Sequence, residues 1–126
     1  MPRKRYLEKH EINCPDRGFA TCEFICRGCT IGARKRLWDS FLSTTTYSSE
    51  PSYLTLKPDP KNHVDPNAIE IVVRGEQYGL AGFVGREYTG LIKKAFEECI
   101  AYRLDTIEDE VSEKGTIVLK LTTELQ

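Results

Sequence analysis

The segment that decides the fold runs from Lys57 to Val73 and reads KPDPKNHVDPNAIEIVV. Three prolines fall in its first eleven residues, with aspartates and asparagines between them, and alternating β-branched residues follow. Proline fixes its own φ and moves the preceding residue out of the helical region, so Asp59-Pro60 and Asp65-Pro66 each predict a turn. Asparagine side chains can hydrogen-bond nearby backbone amides. We therefore predict a rigid polar loop whose structural residues are Asn62, Pro66 and Asn67.

Hydrophobic periodicity on both sides of this loop predicts a β-rich domain. Leu54 and Leu56 alternate with polar neighbours over residues 52–57, a half-buried strand that Pro58 ends. After the loop, residues 69–74 alternate again, and a turn at 75–77 leads into a second arm over 78–84, which predicts a hairpin. Further strands are predicted over 19–29 and 116–123. Glycines in the second arm predict a bulge or a close backbone approach, namely Gly79, Gly82 and Gly85.

The period changes to that of a helix between Arg86 and Tyr102. Apolar residues recur there at helical spacing, with charged residues on the other side. The apolar residues are Leu91, Ile92, Ala95, Phe96, Cys99 and Ile100. Residues 103–111 then predict a strand whose acidic end is exposed.

Length and charge limit the classes of protein that the chain can belong to. Its 126 residues are enough for one domain with its own core. We expect a basic, flexible N-terminal extension over residues 1–18 and a single domain over 19–126. With 18 Lys and Arg against 19 Asp and Glu, the whole chain shows no preference for an anionic partner. No apolar run approaches the roughly 18 residues that cross a bilayer, so we expect an intracellular protein, nuclear or cytoplasmic, without a membrane partner.

Four of the five cysteines lie close together in the sequence, at Cys14, Cys22, Cys26 and Cys29. Cys26 and Cys29 have the spacing of a zinc knuckle, but a structural zinc site needs a second pair, and none has that spacing. Positions 22, 24 and 26 would share one face of a strand. Buried reduced thiols therefore explain the pattern, and we expect no metal and no cofactor. If a metal were bound, these four cysteines would be the candidate ligands.

The order of these features resembles the HIRAN domain. The resemblance rests on the stretch from Leu54 to Pro60, followed by Asn62, Asp65 and Asn67-Ala68-Ile69, a strand, and then Gly82-Phe83-Val84 before a helix. It covers about residues 52–96, and Asp65-Pro66-Asn67-Ala68-Ile69 is its most specific part. The resemblance implies a mainly β fold with one or two helices, a small OB-like β-barrel. It also implies a grip on the 3′ end of single-stranded DNA.

Individual roles follow from the same resemblance. Asp65 matches the acidic residue that accepts the terminal 3′-hydroxyl, and a carboxylate there would repel a 3′-phosphate. Arg86 falls at the start of the helix, where the family has a lysine that contacts the phosphate backbone. Phe83 lies just before it, in the Gly82-Phe83-Val84 segment that the resemblance includes. The chain departs from the family at His63 and Val64, which replace a proline and a base-stacking tyrosine. It also has Thr30-Ile31-Gly32 where the family has an Arg-Tyr-Tyr run.

A second set of candidate DNA contacts precedes the polar loop. Arg34, Lys35, Arg36 and Trp38 combine three cations with the only indole of the chain. Cations can follow phosphates while the indole stacks on a base. Alternatively, Trp38, Phe41 and Leu42 share helical spacing and hold a short helix on the core. His63 is predicted either as an exposed loop residue or, when protonated, as a phosphate contact.

Two functions are compatible with these patterns. The first is a nucleic-acid-binding module that recognises single-stranded DNA or DNA ends in repair or replication, with a helicase or ligase module in the same or another chain as its partner. The second is a protein-protein interaction module on a HIRAN-like scaffold that has lost end-binding. It is favoured by the missing aromatic residues and by the acidic segment Glu108, Asp109, Glu110 and Glu113. An enzyme is not expected, because the sequence has no nucleotide-binding Gly-Lys-Ser/Thr loop and no His-Glu-x-x-His.

Overall fold

The computed structural model describes residues 19–43 and 52–125. Six strands and two helices follow one another in the chain. The strands are β1 (Phe19–Arg27), β2 (Tyr53–Pro58), β3 (Ile69–Arg74), β4 (Gly79–Val84), β5 (Cys99–Thr106) and β6 (Ile117–Leu125). Helix α1 (Arg34–Ser43) follows β1, and α2 (Thr89–Glu98) follows β4 after a 3₁₀ turn at Arg86–Tyr88. The predicted N-terminal extension, residues 1–18, lies outside the described residues, as does Cys14.

All six strands form one antiparallel sheet in the order β2-β3-β4-β1-β6-β5. The sheet curls until its two edge strands, β2 and β5, face each other. There the backbone amide of Leu56 donates a hydrogen bond of 3.2 Å to the hydroxyl of Tyr102. The Tyr102 side chain thus connects β2 and β5, the two strands that backbone hydrogen bonds would join in a completely closed barrel. The fold is mainly β with two short helices, a nearly closed OB-like barrel, as predicted.

The core fills the inside of this barrel. Alternate residues of the long pair β1 and β6 face inward, among them Phe24, Ile117 and Leu119, which are at most 1% exposed. Ile92 of α2 is also fully buried. Because a strand places alternate side chains on opposite faces, the same strands present polar residues outward. Arg27, at the end of β1, is one of these outward residues.

The polar loop consists of two successive Asp-Pro turns. The amide of Asn62 bonds the carbonyl of Asp59 at 3.1 Å, and the amide of Ala68 bonds the carbonyl of Asp65 at 3.0 Å. In each turn proline occupies the second position, which its fixed φ suits. A bond of 2.9 Å from the Asp59 amide to the Ala68 carbonyl joins the two ends of the loop. The two predicted Asp-Pro turns are therefore present.

A bulge interrupts the pairing of β3 with β4. Ile71 lies opposite Gly82 while Val72 lies opposite Leu80, so Ala81 is the extra residue. The carbonyl of Ala81 accepts a hydrogen bond of 2.8 Å from the indole Nε1 of Trp38, which fixes α1 to β4. The bulge that the glycines of this strand predicted is therefore present. It supplies the acceptor for the indole.

The predicted end of the helix is wrong, and so is the strand predicted over 103–111, because β5 runs from Cys99 to Thr106. The helix predicted to run to Tyr102 ends at Glu98, and β5 begins at Cys99. Cys99 pairs with Leu125 of β6, so pairing in the sheet prevails over the helical spacing of Cys99 and Ile100. The prediction that Pro58 ends β2 is confirmed, because Pro58 is its last residue and lies opposite Ile69. Proline is tolerated there because β2 is an edge strand.

Within the two described stretches, no helix is long and apolar enough to cross a membrane.

Candidate functional site

The site is built where the polar loop meets the start of the 3₁₀ turn. The side chain of Asp65 is 20% exposed, and its Oδ2 lies 3.5 Å from Nε of Arg86, whose side chain is 74% exposed. Its Oδ1 accepts the amide of Asn67 at 2.9 Å. An ionised carboxylate has about four acceptor positions, so these two partners leave capacity for a further donor. Asp65 is thus a partly open acceptor with a cation beside it.

Asn62 holds this carboxylate in place from within the loop. Its Oδ1 accepts the amides of both Val64 and Asp65, each at 2.9 Å. Its Nδ2 donates to Asp59 Oδ2 at 3.2 Å. These bonds satisfy amides that have no ladder partner, which is the bracing role predicted for Asn62. Loop residues His63 and Val64 remain exposed, Val64 to 84%.

Helix α2 adds a second cation to the same edge of the barrel. Nζ of Lys93 donates to Oδ1 of Asn67 at 3.1 Å. The side chain of Asn67 therefore links the loop to α2 and does not bond a loop amide, which differs from the predicted bracing role. Lys93 and Arg86 flank the loop. Sequence reasoning did not select Lys93, although its place outside the apolar stripe of α2 was visible.

Phe83 lies on the outer face of β4, with Arg27 of β1 opposite it. The guanidinium of Arg34 lies over the Phe83 ring, 5.4 Å from its centroid, and Nη1 donates to the carbonyl of Gly28 at 3.0 Å. Arginine over an aromatic face is a cation-π arrangement. The structure thus brings Arg34 and Phe83 together, two candidates that are far apart in sequence.

An ion pair continues this surface toward the 3₁₀ turn. Nη2 of Arg27 lies 2.6 Å from Oε1 of Glu87, and both side chains are about half exposed, at 51% and 50%. The hydrogen bond from Arg27 lowers the pKa of Glu87. Neither residue was among the sequence candidates. The signal for Arg27 was its outward position at the end of a strand whose alternate residues are apolar.

Lys35 and Arg36, the two cations that follow Arg34 in α1, do not lie on the side of the helix that faces Phe83. Successive residues of an α-helix are turned by about 100°, so Lys35 and Arg36 point away from the side of α1 that carries Arg34. Lys35 is paired with Asp39 at 3.0 Å. Both cations are exposed beside a shallow depression that includes Gly32 and Ala33. The structure therefore divides the predicted basic patch in two.

Trp38 is not a surface residue. Its side chain is 0% exposed, packs edge-on against Phe41 with ring centroids 5.8 Å apart, and holds Ala81 through its nitrogen. A fully buried indole has no face free for a base, so the prediction that Trp38 stacks on DNA is wrong for this conformation. The alternative is found: Trp38 attaches α1 to the core.

The cysteines do not form a metal centre among the described residues. Cys22 and Cys26 lie four residues apart on β1, about 13 Å along a strand, too far to bind one ion together. Within residues 19–43 and 52–125, no three His, Cys, Asp or Glu side chains are grouped so as to hold a metal. Cys22 packs against the core, and Cys26 is fully buried, as the shared strand face predicted.

Two further features border the site. The connection between β5 and β6 carries the exposed residues Glu108, Asp109, Glu110 and Glu113, and the Gly115 carbonyl at its end accepts the amide of Cys29 at 2.9 Å. This acidic connection therefore lies beside the turn after β1. On the other side, behind Lys93, an apolar cleft of about 190 Å³ is lined by Leu56, Pro58, Ile69, Ile92, Phe96 and Glu97.

No protein-family model matches this chain, and no curated protein matches it. Among solved structures, the chain is similar to the crystal structure of a Lactobacillus plantarum protein from a structural genomics consortium, with 21% identity and a TM-score of 0.42. The match covers 86% of this chain and 100% of that one. A similarity this distant does not indicate a function.

Proposed function

We propose that this chain is a HIRAN-like nucleic-acid-binding module that holds the end of a single strand of DNA. The observation that carries the proposal is the pair formed by Asp65 and Arg86, a partly open acceptor 3.5 Å from a largely exposed cation. A strand terminus presents the complementary groups: a hydroxyl that donates and, one linkage away, a phosphate that needs a cation. Asp65 would accept the terminal 3′-hydroxyl, and Arg86 would hold the adjacent phosphate.

Several cations support a path for the phosphate backbone. Arg86 and Lys93 flank the polar loop, and Arg34 lies further along the same edge, over Phe83. Neutralising phosphates with such side chains releases counterions and accounts for most non-specific affinity. The acidic β5–β6 connection, which lies beside the turn after β1, would repel a polyanion there. We therefore propose that the strand runs along β4 and α2 and away from that connection.

The Arg34–Phe83 pair supports base stacking. Bases stack on guanidinium planes as well as on aromatic rings. Since the Arg34 guanidinium is already held by Phe83 and by the Gly28 carbonyl, ordering it further costs little side-chain entropy. A base stacked on the Arg34 guanidinium would partly replace the aromatic stacking that buried Trp38 and aliphatic Val64 do not provide. His63, exposed at the loop tip, remains a proposed phosphate contact.

Fluorescence anisotropy with three labelled DNA molecules tests the proposal. They are a short linear single strand, the same sequence closed into a circle, and a blunt duplex. We expect the linear strand to bind more tightly than the circle, which has no end, and more tightly than the duplex. Equal affinity for the linear and circular strands would leave single-strand binding but refute end recognition. Failure to bind all three would refute the proposal.

The alternative, a protein-interaction module, has one observation in its favour. Both positions that would be expected to stack on bases are unsuitable, because Trp38 is buried and exposed Val64 has no ring. A pulldown from a nuclease-treated lysate discriminates between the two functions. A protein partner that survives nuclease, together with no DNA binding, would support the alternative. Loss of all captured protein on nuclease treatment would count against it.

The proposal includes no catalysis. Asp59, His63 and Asp65 share one loop, but both carboxylates already serve its turns, Asp59 through Asn62 and Asp65 through Asn67. The proposed partners are DNA and a helicase or ligase module in the same or another chain. Incubation of labelled DNA with the protein and Mg²⁺ or Mn²⁺ checks this point, and we expect intact DNA.

A further inference from the structure

Two cysteine sulfurs lie side by side beneath the Arg34–Phe83 pair. Cys26 is near the end of β1, and Cys29 follows it in the next turn. Their Sγ atoms are 3.3 Å apart, both residues are 0% exposed, and both thiols are free. DNA binding as proposed for the outer surface does not use these groups.

The surrounding backbone is fitted closely to the sulfurs. A Cβ atom added at Gly82 of β4 would fall 2.7 Å from Sγ of Cys26 and 3.3 Å from Sγ of Cys29. No ordinary side chain fits there. On the other side, the Cys29 amide bonds the Gly115 carbonyl at 2.9 Å. The pair therefore lies between β4 and the β5–β6 connection.

The environments of the two thiols differ. The pKa of Cys29 is lowered, mainly by its hydrogen bond with Cys26 and then by Trp38 and the positive charge of Arg34, although burial acts against this. The pKa of Cys26 is raised well above its ordinary value by the hydrogen bond with Cys29 and by burial. Trp38 and Arg34 thus favour negative charge on Cys29, whereas in the folded turn its Sγ donates to the Cys26 carbonyl at 3.4 Å and to the Cys26 sulfur at 3.3 Å. Since the thiolate is the nucleophile, Cys29 is suited to react first.

We propose that Cys26 and Cys29 are an oxidation site that a hydroperoxide converts into an intramolecular disulfide. The Cys29 thiolate attacks a peroxide oxygen: an S–O bond forms, the O–O bond breaks, and the departing oxygen takes a proton to become water or an alcohol. Cys26 sulfur then attacks Cys29 sulfur, forming the S–S bond, and the sulfenic oxygen leaves as water with the Cys26 proton. Two thiols lose two electrons, and the peroxide gains them.

The geometry requires only local movement. A disulfide needs the sulfurs at about 2.05 Å, so they must approach by a little over 1 Å, which side-chain rotation can supply. Gly28, between the two cysteines, has φ of +74° and gives the turn a conformation that other residues rarely adopt. Because both thiols are buried, the oxidant reaches them when this turn opens.

Oxidation would also affect the proposed DNA surface. The Gly28 carbonyl is the acceptor that holds Arg34 over Phe83. Drawing Cys26 and Cys29 together changes the turn that carries this carbonyl, so we expect Arg34 to lose its position. This consequence rests on the proposed function, whereas disulfide formation does not.

The test uses the full chain exposed to hydrogen peroxide, then unfolded and alkylated with N-ethylmaleimide. Of the five cysteines, all should be alkylated in the reduced protein and three after oxidation. Trypsin cleaves after Arg27, so a disulfide between the two cysteines leaves two tryptic peptides joined by their sulfurs. The Cys22→Ser variant should keep the linked peptides, and Cys29→Ser should lose them. Circular dichroism recorded after oxidation and before the unfolding step establishes whether the oxidised protein is folded.

Five alkylated thiols after oxidation of the folded protein would overturn the proposal. So would a linkage that forms only when the protein is unfolded, or one that the Cys22→Ser variant abolishes. Anisotropy then tests the consequence for DNA: we expect Kd to rise about fivefold, the equivalent of one stacking contact worth about 1 kcal/mol. If the disulfide forms but neither redox state binds DNA, the oxidation site stands and the proposed function fails.

Discussion

The indole nitrogen of Trp38 donates a hydrogen bond of 2.8 Å to the carbonyl oxygen of Ala81, the extra residue of the β4 bulge. A bulge takes one residue out of the regular ladder, so its polar groups need partners elsewhere. Here the partner is a side chain 43 residues away in sequence. The bond holds α1 against β4 and so places Arg34, at the start of α1, over Phe83.

Burial of Trp38 predicts a specific fluorescence response. As the only tryptophan in the chain, it should show blue-shifted emission and weak acrylamide quenching, both reversed in urea. Saturating single-stranded DNA should leave the emission nearly unchanged, because the ring is fully covered. Strong quenching by DNA would mean that Trp38 becomes exposed and stacks on a base.

The hydrogen bonds of Asn62 predict that the loop depends on this side chain. Asn62→Ala leaves the amides of Val64 and Asp65 without their acceptor. We expect a loss of about 1–2 kcal/mol in the free energy of unfolding by urea denaturation. Lys61→Ala, at the exposed neighbouring position, is the matched control and should change stability by less than about 0.5 kcal/mol. Equal stability of both variants would contradict the bracing role.

The positions of Arg86 and Lys93 predict the salt dependence of DNA binding. Each alanine substitution should lower the slope of log K against log salt concentration by about 0.7, the value for one phosphate contact on a single strand. Lys35→Ala removes the same charge from the other side of α1, where Lys35 is paired with Asp39, and should leave the slope unchanged. A similar decrease in all three variants would indicate general attraction to a polyanion and no defined path.

The close approach at Gly82 predicts a large effect of one methyl group. In Gly82→Ala the new Cβ would lie 2.7 Å from both the Arg27 carbonyl and the Cys26 sulfur. We expect the free energy of unfolding to fall by about 2 kcal/mol or more. Gly90 in α2 has no atom within 4 Å of its added Cβ. Gly90→Ala should therefore be neutral or stabilising by up to about 1 kcal/mol, and thermal melts of both variants provide the comparison.

Local chemistry in the sequence accounts for most of the fold. Two Asp-Pro steps predicted the turns of the polar loop, and glycine spacing in β4 predicted the bulge. The end of α2 was not predictable in this way, since Cys99 fits both the helical stripe and a strand, and only pairing with β6 decides between them. Pairing between strands that are distant in the chain cannot be deduced from the residue pattern of a single helix or strand.

The site was less predictable than the fold. Asp65 and Arg86 were selected from a resemblance, and the structure brings them within 3.5 Å. Trp38 was ambiguous because an indole beside three cations suits both a core and a DNA surface. Its burial depends on the Ala81 carbonyl, which becomes available only through the bulge. Lys93 and Arg27 join the surface through contacts with Asn67 and Glu87, and sequence spacing does not show such contacts.

The central claim is that Asp65 accepts the terminal hydroxyl of a DNA strand. Anisotropy with one single strand ending in a 3′-hydroxyl or a 3′-phosphate, on the native chain and on Asp65→Asn, tests it most directly. Asparagine keeps an oxygen for the Asn67 amide but removes the charge that repels a phosphate. The account predicts that the native chain prefers the hydroxyl and that Asp65→Asn loses the preference. Equal affinity of the native chain for both ends, or a preference that survives in Asp65→Asn, would contradict it.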